Sequence, residues 1–416
     1  MNTPAETSTP VLENPDPAMG DPAPADIALD AIDESHDELL GFVAQLAGLL
    51  GTPRVVQLEW IQPCCLQLSR FEADSGAPEI QEYHAGGTAL RLPLTDGATE
   101  TLFNLGSLVS LDDASLGRWL GELYRVSGGN VWLSLPVTAS RSRAWWESRC
   151  FAAGFRKHPR LLEVLPYATL EDDGDTLVLL LQKIPDAGLA RYPLAALRAA
   201  RDLHLDMTRE TGRRSDAHLA RYQLARRYLP ESGWVLDVSC GLGGGAALLA
   251  DARRDVRVMG LEASNFAVAY SRSCYQPGQD NLDYQVGQPC DLSRFADASI
   301  DLVVAFELLE CLREPEAFLA EARRVLKRGG RLVCSVPNLW VDEHGQDPNP
   351  QHHQVFTFAK LAKLCREFLT PEHAFLQTAG GGLKLPRATR QLCQVPLPPT
   401  GLQDKAEWWL LTAVKY

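Results

Sequence analysis

The sequence predicts an α/β protein in two halves, with a mostly parallel sheet in the C-terminal one, and three observations carry this. Val235 to Ala250, VLDVSCGLGGGAALLA, passes from an apolar run through a glycine-rich turn into an alanine- and leucine-rich stretch with helical spacing, the order strand, tight loop, helix. Further apolar segments follow it, separated by helical or turn-rich sequence, as in a sheet whose strands are joined by crossovers. Thr101 to Val137 repeats an order that returns about 200 residues later at Val304 to Asn338: strand, loop, helix, GG turn, strand.

The glycine loop has the chemistry of a cofactor cradle. Glycines at 241, 243, 244 and 245 let the backbone turn and approach a ligand, and the free N–H groups of the following helix face the same space. Gly241, Gly243 and Ala246 satisfy the loose dinucleotide spacing, and Glu262, about twenty positions on, suits a ribose diol. A nicotinamide dinucleotide and S-adenosylmethionine both fit this much. Asp237, at the strand end, tips the choice: a carboxylate is repelled by a pyrophosphate and attracted by an ammonium group.

The segments after the loop run VMGLE (258–262), LDYQVGQPCD (282–291), IDLVVAFELLECL (300–312) and RRVLKRGGRLVCSVPN (323–338). With the glycine loop they make five motifs in order, and the series from Ser215 to Tyr416 resembles a class I S-adenosylmethionine-dependent methyltransferase of the bacterial polysaccharide and sugar-cluster type. The resemblance implies a seven-stranded Rossmann-like methyltransferase fold, with Glu407 to Lys415 as the antiparallel strand that closes the sheet. The N-terminal half, 26–186, reads as a degenerate methyltransferase-like domain: Phe103 answers Phe306, Gly128 and Gly129 answer Gly329 and Gly330, and Pro136 answers Pro337. No glycine occurs between Gly51 and Gly76, so this copy lacks the cradle and is expected to serve substrate binding, support or homodimerisation.

Composition sets the rest. The formal charge of −13 is concentrated at the front: residues 1–40 hold ten acidic side chains and no Lys or Arg, leaving −3 for the body. Residues 1–25, with six prolines and few large apolar residues, read as a disordered acidic leader. Residues 187–214 read as a basic helical linker, and over 187–227 nine Arg stand against four acidic residues. The acidic whole argues against a nucleic-acid partner. No apolar run reaches a membrane span and no export signal opens the chain, so a cytoplasmic protein is expected. The ten cysteines include no CxxC pair and read as reduced packing residues. Trp145, Trp146 and Phe151 read as core, and Arg156, Lys157 and His158 as a surface cluster.

The resemblance also implies a site. Asp237 holds the ammonium, with Ser239, Gly241 and Gly243 under the methionine and ribose, and Glu262 and Ala263 at the ribose. Gln288 and Pro289 stand at the adenine, where the family usually has Asp against the amino group, and Phe306 and Glu307 end the fourth strand. HLARY (218–222) resembles the helix that covers the cofactor, so Arg221 or Tyr222 is expected at the methionine carboxylate. Methyl transfer to a hydroxyl needs a proton acceptor. Many relatives have Glu-His after the fourth strand, but here Cys311 follows Glu310. NPQHHQVF (349–356) resembles the segment that caps the acceptor pocket, which puts His352 first, His353 second and His344 third as base. His344, His352 and Asp342 have no recognised metal-ligand spacing. The implied acceptor is a sugar, glycan or related small molecule; a nicotinamide-dependent oxidoreductase and a non-catalytic binding protein are the alternatives.

Overall fold

The computed structural model describes residues 36–416 apart from 63–64, 73–78, 85–90, 93, 139, 171–175, 200–204, 341–343, 345, 381–384 and 386–387. The acidic leader therefore lies outside the described residues, as does Asp342.

The chain opens with helix α1 (His36–Leu50) and a first sheet: β1 (Arg54–Gln62), β2 (Cys65–Glu72), β3 (Glu79–His84) and β4 (Thr99–Leu105), then α2 (Asp113–Val126), β5 (Ser127–Pro136), α3 (Arg143–Ala152), β6 (Phe155–Lys157), the short α4 (Leu161–Val164) and β7 (Thr176–Lys183). Two short helices, α5 (Asp186–Arg191) and α6 (Leu194–Ala199), lead to the second sheet. That sheet is built from α7 (Arg213–Ala225), β8 (Gly233–Val238), α8 (Gly244–Ala252), β9 (Val256–Glu262), α9 (Asn265–Cys274), β10 (Leu282–Val286), β11 (Ile300–Phe306), α10 (Pro315–Val325), β12 (Leu326–Pro337), α11 (Phe358–Arg366), β13 (Thr370–Thr378), β14 (Gln391–Val395) and β15 (Trp408–Val414).

The second sheet runs β10-β9-β8-β11-β12-β15-β13-β14. Its first five strands are parallel and β15, β13 and β14 antiparallel, so the expected seven strands are joined by an eighth, β14, at the edge. The parallel strands are fully apolar runs because helices cover both faces: the α7, α8 and α9 side packs on Val235, Val304 and Val333, and the α10 and α11 side on Leu236, Val303 and Leu332. Ser264 and Thr357 cap α9 and α11 by accepting N–H bonds from Ala267 and Lys360. The fourth strand ends at Phe306, and Leu309–Cys311 is a 3-10 turn beyond it.

The first sheet runs β3-β2-β1-β4-β5-β7-β6. Leaving out β14, that is the order of the second sheet. It differs in β1, β2 and β3, which are antiparallel neighbours, with Gln62 of β1 opposite Cys65 of β2, whereas in the second sheet a glycine loop and a helix separate β8 from β9. The likeness extends to single bonds. Arg125 donates to the carbonyls of Leu92 and Leu94 and to Asp96 and Glu122, while Glu122 accepts from the Leu92 N–H. Arg324 donates to Leu292, Phe295, Asp297 and Glu321, and Glu321 accepts from the Leu292 N–H. The register is also matched, with Leu105 opposite Ser134 and Phe306 opposite Ser335, so Leu105 and not Phe103 stands at the place of Phe306.

Leu161–Val164 is helical, and β7 pairs with β5 and β6. A further sequence reading is corrected here. Arg156, Lys157 and His158 are buried between the halves rather than exposed. Arg156 donates to the Cys274 carbonyl at 2.6 Å and stacks 4.1 Å from the Tyr275 ring; Lys157 donates to Asp216 at 2.5 Å and Ser215 at 2.8 Å, with Glu147 at 3.7 Å. Asp216 also takes a bond from Arg390 at 3.0 Å, so α7 is held from both sides. Burial pushes the His158 imidazole down to about 4 and keeps it neutral. Trp146 and Phe151 are core as expected, while Trp145 lies under Arg141 and Arg149.

Candidate active site

The carboxyl ends of β8, β9, β11 and β12 meet at one edge of the second sheet, where α7 crosses over them. Brought together there are Asp237, the glycine loop, Glu262, Phe306, Glu307 and the α7 residues His218, Arg221 and Tyr222. The topology does this, since crossovers return every parallel strand in the same direction.

After Asp237 the chain turns sharply. Ser239 has φ 61°, Gly241 φ 57° and Gly243 φ 87°, and the Ser239 and Cys240 N–H groups both bond the Leu261 carbonyl. A Cβ on Gly243 would meet Ser271 at 2.5 Å and Tyr284 at 2.7 Å, whereas one on Gly241 would meet nothing within 4 Å. The loop is therefore packed underneath and open above Gly241. Glu262, at the end of β9, is oriented toward this opening: one carboxylate oxygen accepts from Gly241 N–H at 3.1 Å and the other from Ser264 N–H at 3.1 Å. Ala263 is exposed beside it. Gln288 and Pro289 follow Gly287, whose N–H bonds the Glu262 carbonyl at 3.0 Å.

Asp237 is wholly buried, and its two oxygens accept from the Tyr222 hydroxyl at 3.2 and 3.1 Å. Burial pushes the carboxyl up to about 8, against the Tyr222 bond that lowers it, with Glu262 adding to the rise. The Tyr222 ring lies directly on the first turn of α8, where a Cβ on Gly245 would fall 1.9 Å from its Cζ, and packs edge-on to Phe306 at 4.9 Å. Only glycine at 245 admits the ring.

Beyond Phe306, Glu307 has a left-handed φ of 51° and its N–H bonds the Ser335 carbonyl at 3.1 Å. That turn aims its carboxylate at Arg221 (2.9 Å), at the Trp408 indole N–H (2.9 Å) and toward His218 Nδ1 (3.9 Å). The charged Arg221 and the His218 contact outweigh burial and hold Glu307 well below the usual carboxylate range. Arg221 is fully buried, donates to Gln377 at 2.7 Å and lies 4.7 Å over the Trp408 ring. Arg221 and Tyr222, expected at the methionine carboxylate, are here engaged with the Glu307 and Asp237 carboxylates of the chain.

His352 is closed off. Asp347 stands 2.8 Å from Nδ1 and the Asn349 amide nitrogen 2.9 Å from Nε2, so both ring nitrogens are engaged. It would have to give up Asn349 before accepting a proton. His353 and His344 are exposed, and His353 ties its N–H to the Glu310 carbonyl at 2.7 Å. His218 was missed in the sequence reading. The signal was present: 218, 221 and 222 are spaced i, i+3, i+4 and share one helix face.

Residues 236–334 match the family model described as a methyltransferase domain. Over 132 residues the chain is 37% identical to a protein of Mycolicibacterium smegmatis named as a probable S-adenosylmethionine-dependent methyltransferase, covering 31% of this chain and 49% of that one. Over 157 residues it is 31% identical to an O-methyltransferase of Pyrenophora dematioidea, covering 36% and 57%. Among solved structures, the geranyl diphosphate C-methyltransferase of Streptomyces coelicolor A3(2) aligns at 16% identity over 47% of this chain and 76% of that one, with a TM-score of 0.37. The chain spans about half the length of the curated relatives it matches. The stretch from β8 to β12 is thus similar to a methyltransferase domain, and the relatives it matches there include proteins named as S-adenosylmethionine-dependent methyltransferases. No helix among the described residues is long and apolar enough to cross a membrane.

Proposed function

We propose that this chain is an S-adenosylmethionine-dependent methyltransferase that methylates an oxygen of a sugar, glycan or related small acceptor. The observation that carries the cofactor reading is the buried Asp237 beside an open glycine loop: a diphosphate placed there would gain nothing from a protonated carboxyl and be repelled by an ionised one, whereas an ammonium would draw off the proton and pair with the carboxylate. When bound, S-adenosylmethionine supplies a methyl group already activated on a sulfonium. Asp237 would receive the ammonium in place of the Tyr222 hydroxyl, Glu262 would accept from the ribose hydroxyls, and Gln288 would take the adenine edge. The helix α7 would exclude water from the carboxylates beneath it.

The sugar acceptor is favoured by the resemblance of HLARY, FELLE, SVPN and NPQHH to polysaccharide-modifying enzymes and by two indoles, Trp340 and Trp408, whose ring centroids lie 6.2 Å apart, with Trp340 also 6.4 Å from the His352 ring. We further propose that the first half is a duplicate of the second that has lost its cofactor loop and serves as a support. Its strand order and its Glu122–Arg125 clasp favour this reading, and light scattering would read any self-association through it. Equilibrium binding tests the whole: one S-adenosylhomocysteine per chain and no NAD is the expected result. NAD binding with no S-adenosylhomocysteine binding would sink the proposal, and two equivalents would sink the support role.

A further inference from the structure

Resting on the methyltransferase reading, we infer that His218, backed by Glu307, is the proton acceptor for the acceptor hydroxyl. His218 lies on α7 one turn before Arg221, and its Nδ1 stands 3.9 Å from Glu307 Oε2 with no hydrogen bond. Its side chain keeps 21% exposure at the edge where the site residues gather, while the His352 side chain keeps 6% and has both nitrogens bonded. Glu307 is itself fixed by Arg221 and Trp408, so the carboxylate cannot swing away from the imidazole.

The charged groups acting on the ring are Glu307 from the β11 end, which favours its protonation, and Arg221 and Arg214 from α7, which oppose it; the Tyr222 ring packs against it at 5.2 Å. Burial and the two arginines outweigh Glu307 and set the imidazole below its ordinary value, so it is neutral at pH 7 and can take a proton. In the step, the acceptor O–H gives its proton to His218 Nε2 as its oxygen bonds the methyl carbon. The carbon–sulfur bond breaks and its electron pair stays on sulfur, leaving neutral S-adenosylhomocysteine. The positive charge ends on the imidazolium, which faces Glu307.

Three measurements test this. Diethyl pyrocarbonate, which acylates neutral accessible imidazoles, should modify His218 in the wild-type chain and spare His352; the reverse pattern overturns the assignment. In a histidine NMR titration His218 should titrate below 6.5, and lower again in Glu307→Gln; titration above 7.5 overturns it. With labelled S-adenosylmethionine and a phenol-extracted bacterial polysaccharide fraction, His218→Asn should keep S-adenosylhomocysteine affinity within about threefold. It should lose at least about a hundredfold in transfer rate, together with the acid limb of the pH profile. Failure of the wild-type chain to bind S-adenosylhomocysteine would instead sink the methyltransferase reading, and normal binding with an undiminished His218→Asn rate would sink the dyad alone.

Discussion

Because Asp237 is buried with its carboxyl pushed up to about 8, it is mostly protonated at neutral pH, and a cationic ligand must drive a proton off it. Affinity for S-adenosylhomocysteine is then linked to pH. Well below about 8 the ionised fraction falls tenfold per unit, so binding should weaken there by about 1.4 kcal/mol per unit, or roughly fiftyfold in all between pH 8 and pH 6. Above about 8 the ligand's own α-amino group loses its proton and affinity falls again. The expected curve is a bell with its top near pH 8, read by calorimetry in two buffers of different ionisation enthalpy, which also count the proton released. Tyr222→Phe removes the bond that lowers Asp237 and should move the acid limb to higher pH. Asp237→Asn should abolish that limb and cost on the order of 2–5 kcal/mol at pH 8. A wild-type affinity constant within twofold from pH 6 to 7.5 would refute the placement of the ammonium on Asp237.

Three further outcomes follow from packing. Gly245→Ala puts a methyl 1.9 Å from Tyr222 Cζ, so the ring must leave Asp237, and urea unfolding should show a loss on the order of 1–3 kcal/mol. Lys157→Met leaves Glu147 beside Asp216 and should cost on the order of 3–5 kcal/mol at pH 8. Burial raises Glu147 to about 7, so the stability tied to it is whole below its unfolded value and is lost as pH rises toward 7; the Lys157→Met penalty should therefore shrink at pH 5. Arg125→Ala and Arg324→Ala each remove a clasp of the same design, and denaturation should show similar losses for the two; a neutral Arg125→Ala would show that the first clasp is ornamental.

Much of the second half was legible in the chain because its signals are local. A strand, a glycine turn and a helix are written in consecutive residues, and Asp237 and Glu262 occupy the ends of successive apolar runs. What misled was burial by distant partners. Arg156 and Lys157 look like a surface cluster until the second half supplies Cys274, Tyr275 and Asp216 to receive them. His352 resembled a base because its sequence neighbours matched a capping segment, yet Asp347 and Asn349 close around it. The strand β14 escaped because QLCQV is short and half-polar, as edge strands are.

By itself, then, the sequence determined the α/β class, the glycine turn and the two carboxylates at successive strand ends, since backbone freedom at glycine and the alternation of apolar runs need only near neighbours. Tertiary structure alone decided which charged groups meet: that Tyr222 covers Asp237, that Arg221 is spent on Glu307, that His218 faces Glu307, and that Lys157 holds α7. Each is a pairing between elements brought together by sheet order, and the strength of a charge pair depends on distance and on exclusion of water, neither of which is written in the order of residues.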